Sequence, residues 1–314
     1  MTKPTILMLC DIDSDLLEKI NDKFELIKLF KENDPETILN DVKDRVRGII
    51  ATMRNPVRAN LIEACPNLEI ISLAAVGYDN VDLQCAKKNN VIVTNTPDVV
   101  TNDTADTAMG LLLNLTRRYT EGDAFVRAGQ WEAGARKPIG ITLQGKKLGI
   151  LGLGRIGKNI AKKCEAFGLD ISYCGRNKQD VAYDYYSDLT DMARDVDILL
   201  LACPGGEKTK HIVNKEIFQA LGTDSYLINV ARGSVVDEVA LVDALQNNTI
   251  AGAGLDVFES EPHTSDELKV MDNVVLFPHM GAATKETFYN IDALLVENLS
   301  LHFDGKAVKT PVKV

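Results

Sequence analysis

Short apolar runs alternate with longer amphipathic stretches along this chain. The runs Thr5–Leu9, Glu25–Leu29, Gly48–Ala51, Glu69–Leu73 and Val91–Val93 read as strands. Between them, Leu16–Phe24, Val57–Ala64 and Leu83–Lys88 have the spacing of helices with one apolar face. Pro56 stands where a first helical turn favours proline, and Pro66-Asn67 closes that helix. The rhythm restarts near Lys147. Leu148–Leu151, Asp170–Cys174, Ile198–Ala202, Tyr226–Val230, Ala253–Asp256 and Val274–Phe277 are the second set of strands. Their apolar runs are nearly unbroken, as expected of strands covered on both faces. Strands alternating with helices predict parallel sheets in an α/β fold.

Two longer helical patterns join the halves. One spans 101–119, with Ala105, Ala108, Met109, Leu112, Leu115 and Tyr119 on its stripe and Thr101, Asn102 and Asp103 as N-cap candidates. The other spans 285–303, with Phe288, Ile291, Leu295 and Leu299. If the second crosses back, residues 101–284 form a domain inserted into one made of 1–100 plus 285–314. Gly129–Gly145 reads as an exposed connection.

Composition narrows the function. At 314 residues, 45% hydrophobic and 25% charged, the chain has material for two cores. Its longest apolar runs, such as Ile198–Cys203, are too short to span a bilayer. The first apolar run stops at Asp11, so it reads as a strand and not as a signal peptide. A net charge of −10 argues against a general nucleic-acid or anionic-lipid binder. Cys10, Cys65, Cys85, Cys164, Cys174 and Cys203 are scattered, which suggests neither a metal site nor a disulfide framework. A reducing cytoplasm is the expected location.

The chemistry starts at Gly152-Leu153-Gly154-Arg155-Ile156-Gly157, which follows a strand and opens a helix. That order suits a dinucleotide. Gly152 permits the turn, Gly154 lets backbone approach a pyrophosphate, and Gly157 allows close helix–strand packing. The helix N-terminus adds N–H groups for the phosphates. An NAD site normally carries an acid at the end of the next strand, to bond the ribose diol. Here that slot holds Gly175, followed by Arg176, Asn177 and Lys178. The missing acid and the added cation favour NADPH, with Arg176 on the 2′-phosphate and NADH as the weaker cofactor.

Three more stretches each follow a strand of the second half. They are Asn229–Glu238 around Arg232, Gly254–Pro262 around Glu261, and Phe277–Thr284 around His279. Together with Gly152–Gly157 and Ala75–Asp82, they resemble the D-isomer-specific 2-hydroxyacid dehydrogenases along nearly the whole chain, least in its first sixty residues. The Gly175-Arg176 ending resembles the NADPH-linked glyoxylate/hydroxypyruvate reductases and relatives acting on larger 2-oxo acids. The resemblance implies two doubly wound domains, Rossmann- and flavodoxin-like, with a cleft between them. The inserted domain would bind the dinucleotide and the other the substrate.

The resemblance also implies that Arg232, Glu261 and His279 are catalytic, and the chemistry agrees. Reducing a 2-oxo acid needs a proton donor, for which imidazole is suited. Glu261 would hold the ring and favour imidazolium. Arg232 would fork onto the substrate's carboxylate and carbonyl oxygens. The resemblance puts the carboxylate on the N–H groups of Val76 and Gly77, and a D-2-hydroxy acid as product. Arg54, after a first-half strand, is a candidate for a distal group of a polyfunctional substrate. Expected cofactor contacts are Thr104, Gly152, Gly154, Arg155, Ile156, Gly157, Gly175, Arg176, Asn177, Cys203, Pro204, Thr209, Val230, Ala231, Arg232, Asp256, His279 and Gly281. Asp256 would bond the carboxamide by resemblance; capping a local turn is its other reading. His263 reads as a loop residue, and His211 and His302 as surface or packing residues.

The resemblance further implies a homodimer through the dinucleotide domain, with Tyr119, Phe125 and Trp131 in the contact segment. Two alternatives stand beside this reading. One is an NAD-linked enzyme of the same fold acting on D-lactate or 3-phosphoglycerate, which would want an acid at position 175. The other is a non-catalytic dinucleotide-sensing regulator.

Overall fold

The computed structural model describes residues 3–313. Its contacts group into two compact units. The residues up to Val100 join those from Thr284 onward, and Thr101–Ala283 form the other unit.

The first unit is built on a five-stranded sheet. Its strands are β1 (Thr5–Met8), β2 (Glu25–Lys28), β3 (Val46–Ala51), β4 (Ile70–Leu73) and β5 (Ile92–Thr94), in the order β2-β1-β3-β4-β5. Every pairing is parallel. Side chains alternate between two apolar layers, as strand geometry demands. Leu7, Ile49 and Ile71 enter one layer. Ile6, Met8, Ile50 and Ile70 enter the other, where Leu295 and Leu299 of the helix Lys285–Phe303 cover them. Polar contacts hold that helix in place. Ser72 donates its hydroxyl to the Leu295 carbonyl at 3.2 Å, and Asp292 accepts the Asp13 N–H at 2.8 Å. Burial pushes the Asp292 carboxyl up to about 6.

Two local expectations change here. The helix expected from Val57 starts at Ala59. Val57 instead forms a parallel bridge with Val81, donating to the Asn80 carbonyl and accepting from the Asp82 N–H. Pro56 therefore precedes an extended segment and does not open the helix. A further helix, Pro35–Val42, has Asp34 as N-cap and Pro35 in its first turn.

The second unit has seven strands: β6 (Lys147–Leu151), β7 (Asp170–Cys174), β8 (Asp184–Tyr186), β9 (Ile198–Leu201), β10 (Tyr226–Asn229), β11 (Gly252–Leu255) and β12 (Val274–Leu276). Their order is β12-β11-β10-β9-β6-β7-β8, again all parallel. β8, an edge strand rich in tyrosine, is the one the periodicity misses. The chain runs outward from β6 through β7 to β8, then returns to β9 on the other side of β6. Ligands of open α/β sheets bind at such a reversal, beyond the strands' carboxyl ends. The helix Thr101–Arg117 packs on this sheet with Ala105, Ala108, Leu111 and Leu112 fully buried. Thr101, Asn102 and Asp103 lie in its first turn, not before it. Arg118 is left-handed, with φ +56°, and ends it two residues short of the expected stop. Among the described residues, no helix is long and apolar enough to cross a membrane.

Candidate active site

The glycine loop leaves β6 at its carboxyl end. Gly152 has φ +98°, and a Cβ there would lie 2.7 Å from the Cys203 backbone. A Cβ on Gly157 would lie 2.3 Å from the Gly152 carbonyl oxygen. Both positions therefore exclude a side chain. Gly154 differs: nothing lies within 4 Å of its hypothetical Cβ. It is the N-cap of the helix Arg155–Glu165 and has no side chain of its own to cap that end. The open face at this helix N-terminus fits the pyrophosphate of a dinucleotide. Around this loop, Cys203 is buried, and burial pushes its thiol up to about 11. Thr209 donates its hydroxyl to the Pro204 carbonyl at 2.8 Å and closes the loop after β9.

The segment after β7 is braced against the glycine loop. The Gln179 N–H donates to the Tyr173 hydroxyl at 2.7 Å, and its side-chain amide to the Leu153 carbonyl at 2.8 Å. The Tyr185 hydroxyl donates to the Gly175 carbonyl at 3.1 Å. Arg176, Asn177 and Lys178 between these braces are exposed, and the space beside Gly175 is open.

The structure joins His279 to Glu261. Imidazole Nδ1 lies 2.7 Å from Glu261 Oε2. A carboxylate only accepts, so Nδ1 carries the proton and Nε2 is the atom offered to a reactant. Of the His279 side chain, 41% remains exposed, enough for that second nitrogen to be reached. The other Glu261 oxygen, Oε1, accepts the Phe258 N–H at 3.0 Å. Burial opposes ionisation of Glu261. The His279 hydrogen bond and charge, the Phe258 N–H and the Arg232 charge outweigh it and hold the carboxyl below its ordinary value.

His279 is left-handed, with φ +56°, an uncommon conformation for a residue with a side chain. Asp256 holds it there. The Asp256 carbonyl accepts the His279 N–H at 2.9 Å, and its carboxylate accepts the N–H groups of Met280 at 2.5 Å and Gly281 at 2.9 Å. Burial raises the Asp256 pKa against those two hydrogen bonds. Thr104, buried in its helix, donates its hydroxyl to the Gly281 carbonyl at 3.0 Å. Asp256 and Thr104, both expected cofactor contacts, thus brace the His279 loop from below.

Arg232 follows β10. Asn229 at that strand's end accepts the Ala231 N–H at 3.0 Å and donates to the Arg232 carbonyl at 3.1 Å. The guanidinium donates to the Ala231 carbonyl at 2.7 Å. Gly233 lies hard against the next loop: a Cβ there would fall 1.9 Å from the Phe258 backbone. The backbones of Val230 and Ala231, further expected cofactor contacts, are in this turn, with both residues buried.

The first unit's candidates share one corner of its own sheet. Asn80 donates to the carbonyls of Thr52 and Asn55, at 2.7 and 3.1 Å. It thereby fixes the turn carrying Arg54 beside the loop carrying Val76 and Gly77. Arg54 is exposed, and the Val76 carbonyl accepts from Asn95 at 2.7 Å.

Residues 109–281 match the model of the D-isomer specific 2-hydroxyacid dehydrogenase NAD-binding domain. The chain belongs to the D-isomer specific 2-hydroxyacid dehydrogenase family. It is an oxidoreductase of that family and takes a nicotinamide dinucleotide. It is 44% identical over 308 residues to glyoxylate/hydroxypyruvate reductase A of Arabidopsis thaliana, covering 98% of each chain. It is 42% identical to hydroxyphenylpyruvate reductase of Plectranthus scutellarioides, again over 98% of each. Among solved structures, it resembles the NADPH-dependent glyoxylate/hydroxypyruvate reductase of Sinorhizobium meliloti in complex with NADP and malonate. That likeness has a TM-score of 0.91 and 40% identity, covering 99% of this chain and 97% of the other.

In this dehydrogenase, Gly154→Ala separates binding from folding. The methyl group meets open space in the unliganded protein, so Tm should hold. It would occupy the approach of the pyrophosphate, so dinucleotide affinity should fall at least about tenfold, roughly 1.4 kcal/mol. Fluorescence titration and thermal melts of the same variant check both halves.

Proposed function

We propose that this enzyme reduces a small 2-oxo acid with NADPH to the D-2-hydroxy acid. Glyoxylate, hydroxypyruvate and sugar-derived 2-oxo acids are the substrates we favour. The observation that carries the reading is the His279–Glu261 hydrogen bond at 2.7 Å, on a histidine whose backbone is locked from below. A bound dihydronicotinamide supplies the hydride. His279 delivers a proton from Nε2 to the carbonyl oxygen. Glu261 keeps the ring oriented. Arg232 binds the substrate's carboxylate and carbonyl, stabilising the negative charge that grows on the oxygen. The N–H groups of Val76 and Gly77 take the carboxylate. Arg54 takes a distal hydroxyl or acid group when the substrate has one. The names of the relatives support this substrate class, and hydroxyphenylpyruvate reductase adds aromatic 2-oxo acids to the panel worth testing.

The NADPH preference rests on Gly175 and Arg176. No carboxylate stands in 175–179 to repel a 2′-phosphate, and Arg176 is exposed on a braced loop. The NADP-bound relative supports it. A charge-assisted hydrogen bond contributes about 1.5–3 kcal/mol. Arg176→Ala should therefore lower kcat/KM with NADPH about 10–100-fold and change NADH kinetics little. In the native enzyme, salt should weaken NADPH binding more than NADH binding. Assays of glyoxylate, hydroxypyruvate and larger 2-oxo acids with both cofactors test the whole reading. An unchanged cofactor ratio in R176A would remove the NADPH assignment. Tight dinucleotide binding without turnover of any acid would remove the enzymatic one.

We also propose a homodimer formed through the second unit. Tyr119, Val126, Trp131 and Ile139 are all at least half exposed, Trp131 at 68%, and the helix Tyr119–Arg127 buries none of its residues. Such a run of bare apolar side chains suits an interface. Trp131 would then reach the neighbouring copy's site. Six unpaired thiols support a reducing cytoplasm.

A further inference from the structure

We propose that His211 is a positioning residue for the catalytic pair, acting by holding the loop that carries Glu261. This rests on the roles given to Glu261 and His279 above. His211 Nε2 lies 2.6 Å from Glu259 Oε1, which makes a second histidine–glutamate bond beside the first. The carboxylate can only accept, so Nε2 donates.

Three loops meet at this residue. Its own loop follows β9 and contains Thr209, an expected cofactor contact. The His211 backbone is left-handed, with φ +50°, and its N–H donates to the Ser234 carbonyl at 2.8 Å, in the loop that carries Arg232. Its side chain then reaches Glu259, in the loop that carries Glu261. The Glu259 N–H donates to Glu238 Oε2 at 3.0 Å, so this residue is held from both backbone and side chain. Two residues on, Glu261 sits inside the turn closed by the His263 N–H and the Ser260 carbonyl at 2.9 Å. Glu259 is the leg leading into that turn from the buried Val257 and Phe258.

A shift of that leg moves the Glu261 carboxylate relative to His279 Nδ1. Misplacement of an orienting group by a fraction of a bond length is felt in rate. The pair adds little to folding, because both side chains are about one-third exposed, at 36% and 32%. Its loss should therefore appear in catalysis and in local loop exchange, with the global melt little changed.

The test compares His211→Ala and His211→Gln, each alone and with Glu261→Gln. The glutamine amide nitrogen can take the place of Nε2. H211A should lower kcat about tenfold, with KM for NADPH and the 2-oxo acid little changed. H211Q should recover most of that loss. With E261Q present, H211A should cost almost nothing further, because the group it positions is already disabled. In the protein without ligands, amide exchange of the peptide 257–262 should quicken in H211A and not in H211Q. Unchanged kcat in H211A overturns the proposal. So does an equal loss in the E261Q background, or an H211Q as slow as H211A. An E261Q enzyme as fast as the native one would overturn the catalytic reading itself, and this inference with it.

Discussion

Replacing His279 by asparagine should leave the protein folded and able to bind NADPH, and lower kcat about a thousandfold. The magnitude is that of losing a positioned general acid, about 10²–10⁴. Asparagine is the informative choice for two structural reasons. It tolerates the left-handed backbone at this position better than most residues. Its side-chain amide can also donate to Glu261 where Nδ1 now does. What it lacks is any counterpart of Nε2. The variant thus keeps the loop, the Glu261 contact and the Asp256 brace, and removes only the proposed proton donor. Steady-state kinetics with hydroxypyruvate, beside NADPH titration and a thermal melt, give the three readouts. A kcat within tenfold of the native value would mean that the proton comes from elsewhere. A collapse of Tm would mean instead that His279 is needed to hold its own loop.

That loop also marks the limit of what sequence can convey. Gly152 and Gly157 could be read in advance because their constraint is local: a strand, a turn and a helix in a fixed order. Arg232, Glu261 and His279 were legible from short stretches with a family likeness. The bond between Glu261 and His279 crosses eighteen residues and needs β11 and β12 to lie side by side. Asp256 shows the difficulty in a single residue. A carboxylate after a strand suits a ligand contact or a turn cap equally well. Only the fold reveals that both its oxygens accept backbone N–H groups of the His279 loop.

The partners of Thr104 and His211 are not legible for the same reason, since they are distant in sequence: Gly281 for one and Glu259 for the other. Asn229 escapes the sequence reading although it carries a signal, an amide at a strand end just before Arg232, and the fold buries it. The errors in the elements have physical causes too. β8 is three residues long and pairs on one edge only, too short for any period to register. Pro56 carried a helix-start signal, but the Val57–Val81 bridge won the backbone of the next residue.

Arg232→Lys should keep the positive charge and still cost about 10²–10³ in kcat/KM for the 2-oxo acid, comparable with removing one oxyanion donor. The reason is shape. A guanidinium presents parallel N–H groups that can meet a carboxylate oxygen and the neighbouring carbonyl together, whereas an ammonium is a point charge on a flexible stem. The turn around Arg232 is fixed before any substrate arrives. Asn229 holds the backbone on both sides of Ala231, and Gly233 is wedged against Phe258. Lysine cannot recover the geometry by moving the loop. Because the interaction strengthens as charge grows on the carbonyl oxygen, kcat should fall as well as KM rise. Dinucleotide affinity, measured without substrate, should change little. A substitution that raised KM alone would assign Arg232 to carboxylate binding and return the stabilisation of the oxygen to His279. A loss confined to NADPH affinity would move Arg232 out of the substrate's reach altogether.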